Sequence, residues 1–237
     1  MNSPKISQDT DQWQIWIDHG CTFTDVVARK SNGQLASKKL LSKNNESFED
    51  AAMHAIQELL NIDVDKNIPT GSIRPVEIGT SIASSALLQH KGQPTFLAVT
   101  EGLEGLVEID YRVKENCPAI NKDLVCNKVI GIRERICASG DVCTTINLER
   151  TRSLLVQSYN SGYRSIAIVL MNSTKYPEHE KIVSELAIQI GFTEIITSHE
   201  GAPVAKLITE GDATIIETYL VPILRQYINR VTDAIDC

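Results

Sequence analysis

Between Leu148 and Thr197 the chain changes hydrophobic period three times, and this alternation limits the fold more than any other feature. Leu148–Tyr159 has helical spacing and ends near Gly162. Ser165–Leu170, "SIAIVL", is an almost continuous apolar run, the pattern of a strand covered on both faces. Pro177 then occupies a helix-start position, with Glu178 and Glu180 in the positive first turn. Ile182, Val183, Leu186 and Ile190 line one face of that helix, and Gly191 ends it. Thr193–Thr197 is again strand-like. Helix–strand–helix–strand favours parallel pairing on an open sheet, hence an α/β fold.

The first half starts differently. Gln14–Ile17 and Phe23–Ala28 are two strands joined by a tight turn, and Leu35–Leu41 follows the hairpin dipeptide Asn32-Gly33. These three predict an antiparallel meander. The spacing Ser47-x-x-Asp50 reads as a capping box opening a helix with Ala51, Ala52, Ala55, Ile56, Leu59 and Leu60 on its apolar face. Val76–Ile78 is a short strand, Ser81–His90 a helix stopped by Gly92, and Thr95–Val99 a strand. Thr100–Asn127 has little periodicity and reads as a long loop. Lys128–Ile136 alternates as one strand. A last helix runs from about Asp212 to Val231, bent near Pro222. One mixed sheet with helices on its faces is the economical expectation.

With 237 residues, 42% apolar and 22% charged, the chain can bury a real core. A net charge of −7 disfavours nucleic acid and acidic membranes as partners. No run of eighteen apolar residues is present to span a bilayer. Residues 1–12 are polar, lack an apolar signal core, and are expected to be a flexible tail. Six cysteines at this length point to reduced thiols in the cytoplasm. None forms a Cys-x-x-Cys pair, so a zinc site is disfavoured.

Chemistry concentrates in two places. In "IWIDHGCTFTDVVA" an apolar strand runs into Asp18, Gly20, Cys21, Thr22, Thr24 and Asp25. Turn amides and hydroxyls can face phosphate oxygens, and Asp18 and Asp25 can hold magnesium, usually through water. A hairpin with a polar tip is the alternative. In "EIGTSIASSALLQHKG" a strand ends in Gly79-Thr80-Ser81 and a helix begins. Its amides suit an anion, or Thr80 or Ser81 merely caps it. His179, between two glutamates, is read as part of a helix start. His199-Glu200 and Glu210-Gly211-Asp212 fall at element junctions. His19 and Cys21 lie on the same side of an extended segment, but no catalytic pair is assigned to them. Neither a Gly-x-Ser-x-Gly elbow nor a Walker-type loop occurs.

Taken together, the stretches resemble a known family. Asp18-x-Gly20-x-Thr22-Phe23-Thr24-Asp25 resembles the Asp-x-Gly-Gly-Thr-Phe-Thr-Asp signature of the hydantoinase A / 5-oxoprolinase family. "KLLS" at Lys39–Ser42 and "GTSIASSALLQHKG" at Gly79–Gly92 look like its next two signatures. "SIAIVLMNSTKYPEHE" (Ser165–Glu180), "SHEGAP" (Ser198–Pro203) and "TYLVPILRQY" (Thr218–Tyr227) follow in the family's order. The resemblance implies one incomplete half of an actin-like, ribonuclease-H-type ATPase. Residues 13–203 would be the family's N-terminal α/β domain, and residues 204–237 the start of the second ATPase domain. It implies ATP and magnesium as cofactors, and a phosphorylated amide or ketone oxygen as the route to opening a cyclic amide ring. Asp18, Gly20, Cys21, Thr22, Thr24 and Asp25 would form the first phosphate loop, with magnesium on Asp18 and Asp25. Gly79, Thr80, Ser81 and Ser85 would lie near the cleft. The partner would be a C-terminal domain or a hydantoinase B-type subunit, and the chain alone would be inactive. The alternative is a degenerate stand-alone binding module of the same fold.

Three residues depart from the family pattern. Cys21 replaces the second glycine, at a cost of about 1–2 kcal/mol if the turn needs a positive φ there. Ser85 replaces an Asn, and Glu210 an Arg.

Overall fold

The computed structural model describes residues 12–42, 50–63, 68, 73–105, 125–200 and 207–236. The expected tail at 1–12 and loop at 100–127 lie largely outside these residues. The chain divides into two compact units, 1–85 with 223–237 and 86–222.

Unit 1 opens with the predicted meander: β1 (Trp13–His19), β2 (Phe23–Lys30) and β3 (Leu35–Leu41) pair antiparallel. At the β2–β3 turn Gly33 takes φ +87°, which suits a residue without Cβ, and the Asn32 side chain accepts from the Gln34 amide. β4 (Ile73–Thr80) adds parallel to β1, giving the order β3-β2-β1-β4. It is longer than the Val76–Ile78 strand expected. Ile15 and Ile17 of β1 and Val26 and Ala28 of β2 point inward at period two. They pack with Ala52, Ala55 and Ile56 of α1 (Ala51–Leu60) and with Tyr227 and Val231.

Helix α1 begins later than the capping box suggests. Asp50 itself is the N-cap, its carboxylate accepting from the Ala52 and Met53 amides at 2.9 and 3.2 Å. Ser47 lies outside the described residues. A carboxylate one residue before the first turn satisfies two orphan amides and so ends the search for a cap. Helix α2 (Ile82–Leu88) is capped by Thr80, whose hydroxyl accepts from the Ile82 amide at 3.0 Å. His90, not Gly92, takes the left-handed conformation after it, at φ 54°. Gly92 has another reason to be glycine: a Cβ there would overlap the Tyr219 ring.

Unit 2 is built on four parallel strands in the order β10-β9-β5-β6. These are β5 (Thr95–Thr100), β6 (Cys126–Ile132), β9 (Ser165–Val169) and β10 (Glu194–Thr197). All of β5 and β9 is buried, as continuous apolar runs require. Leu155 of α3 (Leu148–Asn160) and Val183, Leu186 and Ala187 of α4 (Glu178–Ile190) complete the core with Phe96, Ile132, Ile166 and Ile168. Gly191 caps α4 at φ 106° as predicted. Helix α5 (Leu207–Asp236) is longer than the Asp212–Val231 expected and continues through Pro222.

Three expectations need correction. Among the described residues the single mixed sheet is instead two four-stranded sheets and a small hairpin. The alternating strands of the meander leave one face partly in solvent, with Phe23, Leu35 and Leu41 exposed, whereas the continuous strands of unit 2 need cover on both faces. Second, the Lys128–Ile136 run is two strands. β6 ends at Ile132, Glu134 turns into the interior, and β7 (Arg135–Ile136) pairs with β8 (Val142–Thr144). Third, not every cysteine is a thiol: Cys137 and Cys143 form a disulfide across that hairpin, while Cys21 and Cys126 do not. Among the described residues no helix is long and apolar enough to cross a membrane.

Candidate active site

The sheet of unit 1 brings four of its residues into one row. Register pairs Gly79 with Asp18, Asp18 with Asp25, and Asp25 with Lys39, across β4, β1, β2 and β3. Partners in register share a face, so both carboxylates and the ammonium project from the same side. Lys39 Nζ donates to both oxygens of Asp25, at 3.0 and 2.8 Å, which offsets the repulsion between two facing acids. Asp18 is exposed. Gly79 leaves room beside it, since the nearest atoms a Cβ would meet are 3.7 and 3.9 Å away.

The next row, Thr80, His19, Thr24 and Leu40, faces the other way. Here the structure revises a predicted role. Thr24 is fully buried, and its hydroxyl meets His19 Nδ1 at 2.9 Å and Ser42 Oγ at 3.0 Å. It serves the internal structure of the turn rather than offering its hydroxyl to a ligand. Burial pulls the His19 pKa below its ordinary value; Asp50 and Asp18 oppose this and Arg230 adds to it. The His19 ring lies 4.8 Å from that of Tyr227, whose buried hydroxyl has no hydrogen-bond partner among the described residues.

The turn itself is tight. The Gly20 amide donates to the Phe23 carbonyl at 2.9 Å, and a Cβ on Gly20 would sit 2.8 Å from that oxygen. Cys21 does not take a positive φ, so the strain anticipated for a non-glycine residue there is absent. Its Sγ meets Ser85 Oγ at 2.5 Å and Ser81 Oγ at 3.6 Å. Two of the family departures, Cys21 and Ser85, are therefore in contact. The Ser81 amide and the Thr80 hydroxyl both donate to the His19 carbonyl, at 3.0 and 3.2 Å, which ties the start of α2 to the turn. The predicted residues Asp18, Gly20, Cys21, Thr22, Asp25, Gly79, Thr80, Ser81 and Ser85 thus gather around one turn and one strand end. The exposed Asp18 carboxylate offers hard oxygens of the kind magnesium takes, and the turn has Gly20 within it and Gly79 beside it near the end of β4. The side chain of Glu210, the third departure, lies outside the described residues.

Sequence reasoning passed over several polar groups. Ser42 closes the turn from beneath, donating from Oγ to the Gly20 carbonyl at 2.7 Å and from its amide to the Thr22 carbonyl at 2.9 Å. In unit 2 a second cluster lies at the carboxyl ends of β5 and β9. Buried Glu134 meets His179 Nδ1 at 2.5 Å and accepts from Thr100 Oγ1. Buried Glu180 accepts from the Leu170 amide, Ser198 Oγ, and the amide and ring of His199. His179 and Glu180 therefore do more than start a helix. Their partners lie 10 to 45 residues away, separations no local pattern reveals. Among the described residues, no group of three or more His, Cys, Asp or Glu is placed to hold a metal ion.

Comparison with known proteins gives the same family as the motifs. A family model for the hydantoinase/oxoprolinase N-terminal region matches residues 14–191. A 5-oxoprolinase of Dictyostelium discoideum is 29% identical over 93% of this chain and 20% of its own length. Two solved structures share the fold. A nucleotide-free acetone carboxylase has a TM-score of 0.75 at 19% identity, over 95% of this chain and 34% of that one. The ATP-dependent caprolactamase of Pseudomonas jessenii has a TM-score of 0.72 at 20% identity, over 94% and 34%. The chain spans about a fifth of the length of the curated relatives it matches.

Proposed function

Because the chain belongs to the hydantoinase/oxoprolinase family through its N-terminal region, we propose that it forms one wall of the nucleotide site of an ATP-dependent hydrolase that opens a cyclic amide. The carrying observation is the row Gly79–Asp18–Asp25–Lys39 beside the Gly20–Cys21–Thr22 turn. ATP, when bound with magnesium, supplies the phosphoryl group that turns an inert amide oxygen into a leaving group. Asp18 is the exposed acid that would hold the metal. Asp25, neutralised by Lys39, sets the charge of the floor beneath it. Cys21 and Thr22 face the phosphates, and Ser81 and Ser85 line the mouth through the Cys21 thiol.

Sheet order β3-β2-β1-β4, an antiparallel meander with a parallel fourth strand, supports a ribonuclease-H-type, actin-like half. Residues 204–237 open the second ATPase domain, and the length the relatives have beyond this chain supplies the other wall, in the same polypeptide or as a hydantoinase B-type subunit.

Calorimetry of the 237-residue chain with magnesium·ADP tests this. Binding that needs magnesium and is lost in Asp18→Asn is the expected result. Equal binding of inorganic phosphate without magnesium would instead make the turn a simple anion site. Appreciable ATP hydrolysis by the isolated chain would overturn the one-wall assignment.

A further inference from the structure

The polar chain beneath the turn has a fixed direction. Ser42 Oγ donates its one proton to the Gly20 carbonyl, which can only accept. In the Thr24–Ser42 contact Ser42 therefore accepts, and Thr24 donates. Thr24 has then spent its proton, so His19 must donate from Nδ1. Three hydrogen bonds run one way, from His19 through Thr24 and Ser42 to the Gly20 carbonyl. The Thr22 carbonyl is drawn to the same residue by the Ser42 amide.

This direction matters because a peptide unit is planar and trans. When the Gly20 carbonyl is drawn toward Ser42, the N–H of the same peptide, on Cys21, points the opposite way. Two carbonyls of the turn, the groups that repel an anion, are held by Ser42, and the Cys21 N–H points away from Ser42 in a turn whose Cys21 and Thr22 are exposed. We propose that Ser42, Thr24 and His19 are positioning residues that set the Gly20–Cys21 peptide so that its N–H is aimed at the bound phosphate. The proposal rests on the nucleotide assignment above and gives a role to buried Thr24 and to the half-buried His19 and Ser42. It also explains how a cysteine can stand in the turn: the backbone amide, not the side chain, makes the contact.

The test is magnetic resonance on the intact 237-residue chain, reading the residual dipolar coupling of the Cys21 N–H without ligand and its shift on titration with magnesium·ADP or inorganic phosphate. Ser42→Ala and the isosteric Thr24→Val should both change the coupling while tryptophan emission stays native. Both should weaken magnesium·ADP binding by about tenfold, the scale of one hydrogen bond to a charged group. Ser42→Thr, which keeps the hydroxyl, should restore both readouts. A coupling unchanged in Ser42→Ala and Thr24→Val overturns the proposal. A wild-type Cys21 amide that keeps its orientation but responds to neither ligand overturns the nucleotide assignment and the anion role together, with the peptide orientation established independently.

Discussion

Cys21 stands in its turn without a left-handed backbone, so replacing it with glycine relieves no strain. Cys21→Gly should lower stability by about 0.5–1 kcal/mol through the extra freedom of the unfolded chain, as a lower urea midpoint would show. Tyr227 presents the opposite case. Its buried hydroxyl has no hydrogen-bond partner among the described residues, and Tyr227→Phe should raise the stability of unit 1 by about 1 kcal/mol at neutral pH. Trp13 and Trp16, both on β1, report on that unit by fluorescence. Burial, aided by Asp50 and opposed by Arg230, raises the Tyr227 pKa well above its ordinary value of about 10. Above that pH the unfolded chain loses the phenolic proton while the folded chain keeps it. Stability from this group is intact below pH 10 and falls as pH rises beyond it. The Phe variant should lose less stability on alkaline titration than the parent, and equal losses would discount the Tyr227 contribution.

At the scale of elements, the helix ends and close approaches carry the consequences. Asp50→Ala removes the cap of α1 and should cost about 1 kcal/mol. Gly92→Ala places a methyl group against the Tyr219 ring and should cost about 1–3 kcal/mol, read by thermal melting. The largest effect belongs to α4. Glu180 accepts from the Leu170 amide, the Ser198 hydroxyl and the His199 amide, so Glu180→Ala removes the carboxylate that several buried donors share. A loss of about 3 kcal/mol is expected, visible in the denaturant midpoint by circular dichroism. The Asn32-Gly33 hairpin, the buried "SIAIV" strand and the Gly191 cap were all legible beforehand, because each follows from the conformational preference of residues within a few positions. The Ser47 start was misplaced because Asp50, already noticed as its partner, is itself the better-placed cap. The Lys128–Ile136 strand was read as continuous because alternation cannot show that Glu134 leaves the sheet to meet His179.

For the molecule as a whole, two motifs distant in sequence come together: the turn after β1 and the junction after β4 lie side by side through the Asp18–Gly79 pairing. Residue types and their spacing were enough for the α/β class, the antiparallel start, the parallel second half and the family, since these depend on period, turn chemistry and local signatures. Tertiary structure decided what depends on partners far apart in the chain. It separated two sheets where one was expected, and joined Cys137 to Cys143. It turned Thr24 inward and set Lys39 on Asp25. It also placed Ser42 under Gly20, 22 residues away. Strand register and side-chain facing are set by long-range pairing, and a one-residue change of register would exchange the Asp18 row for the His19 row.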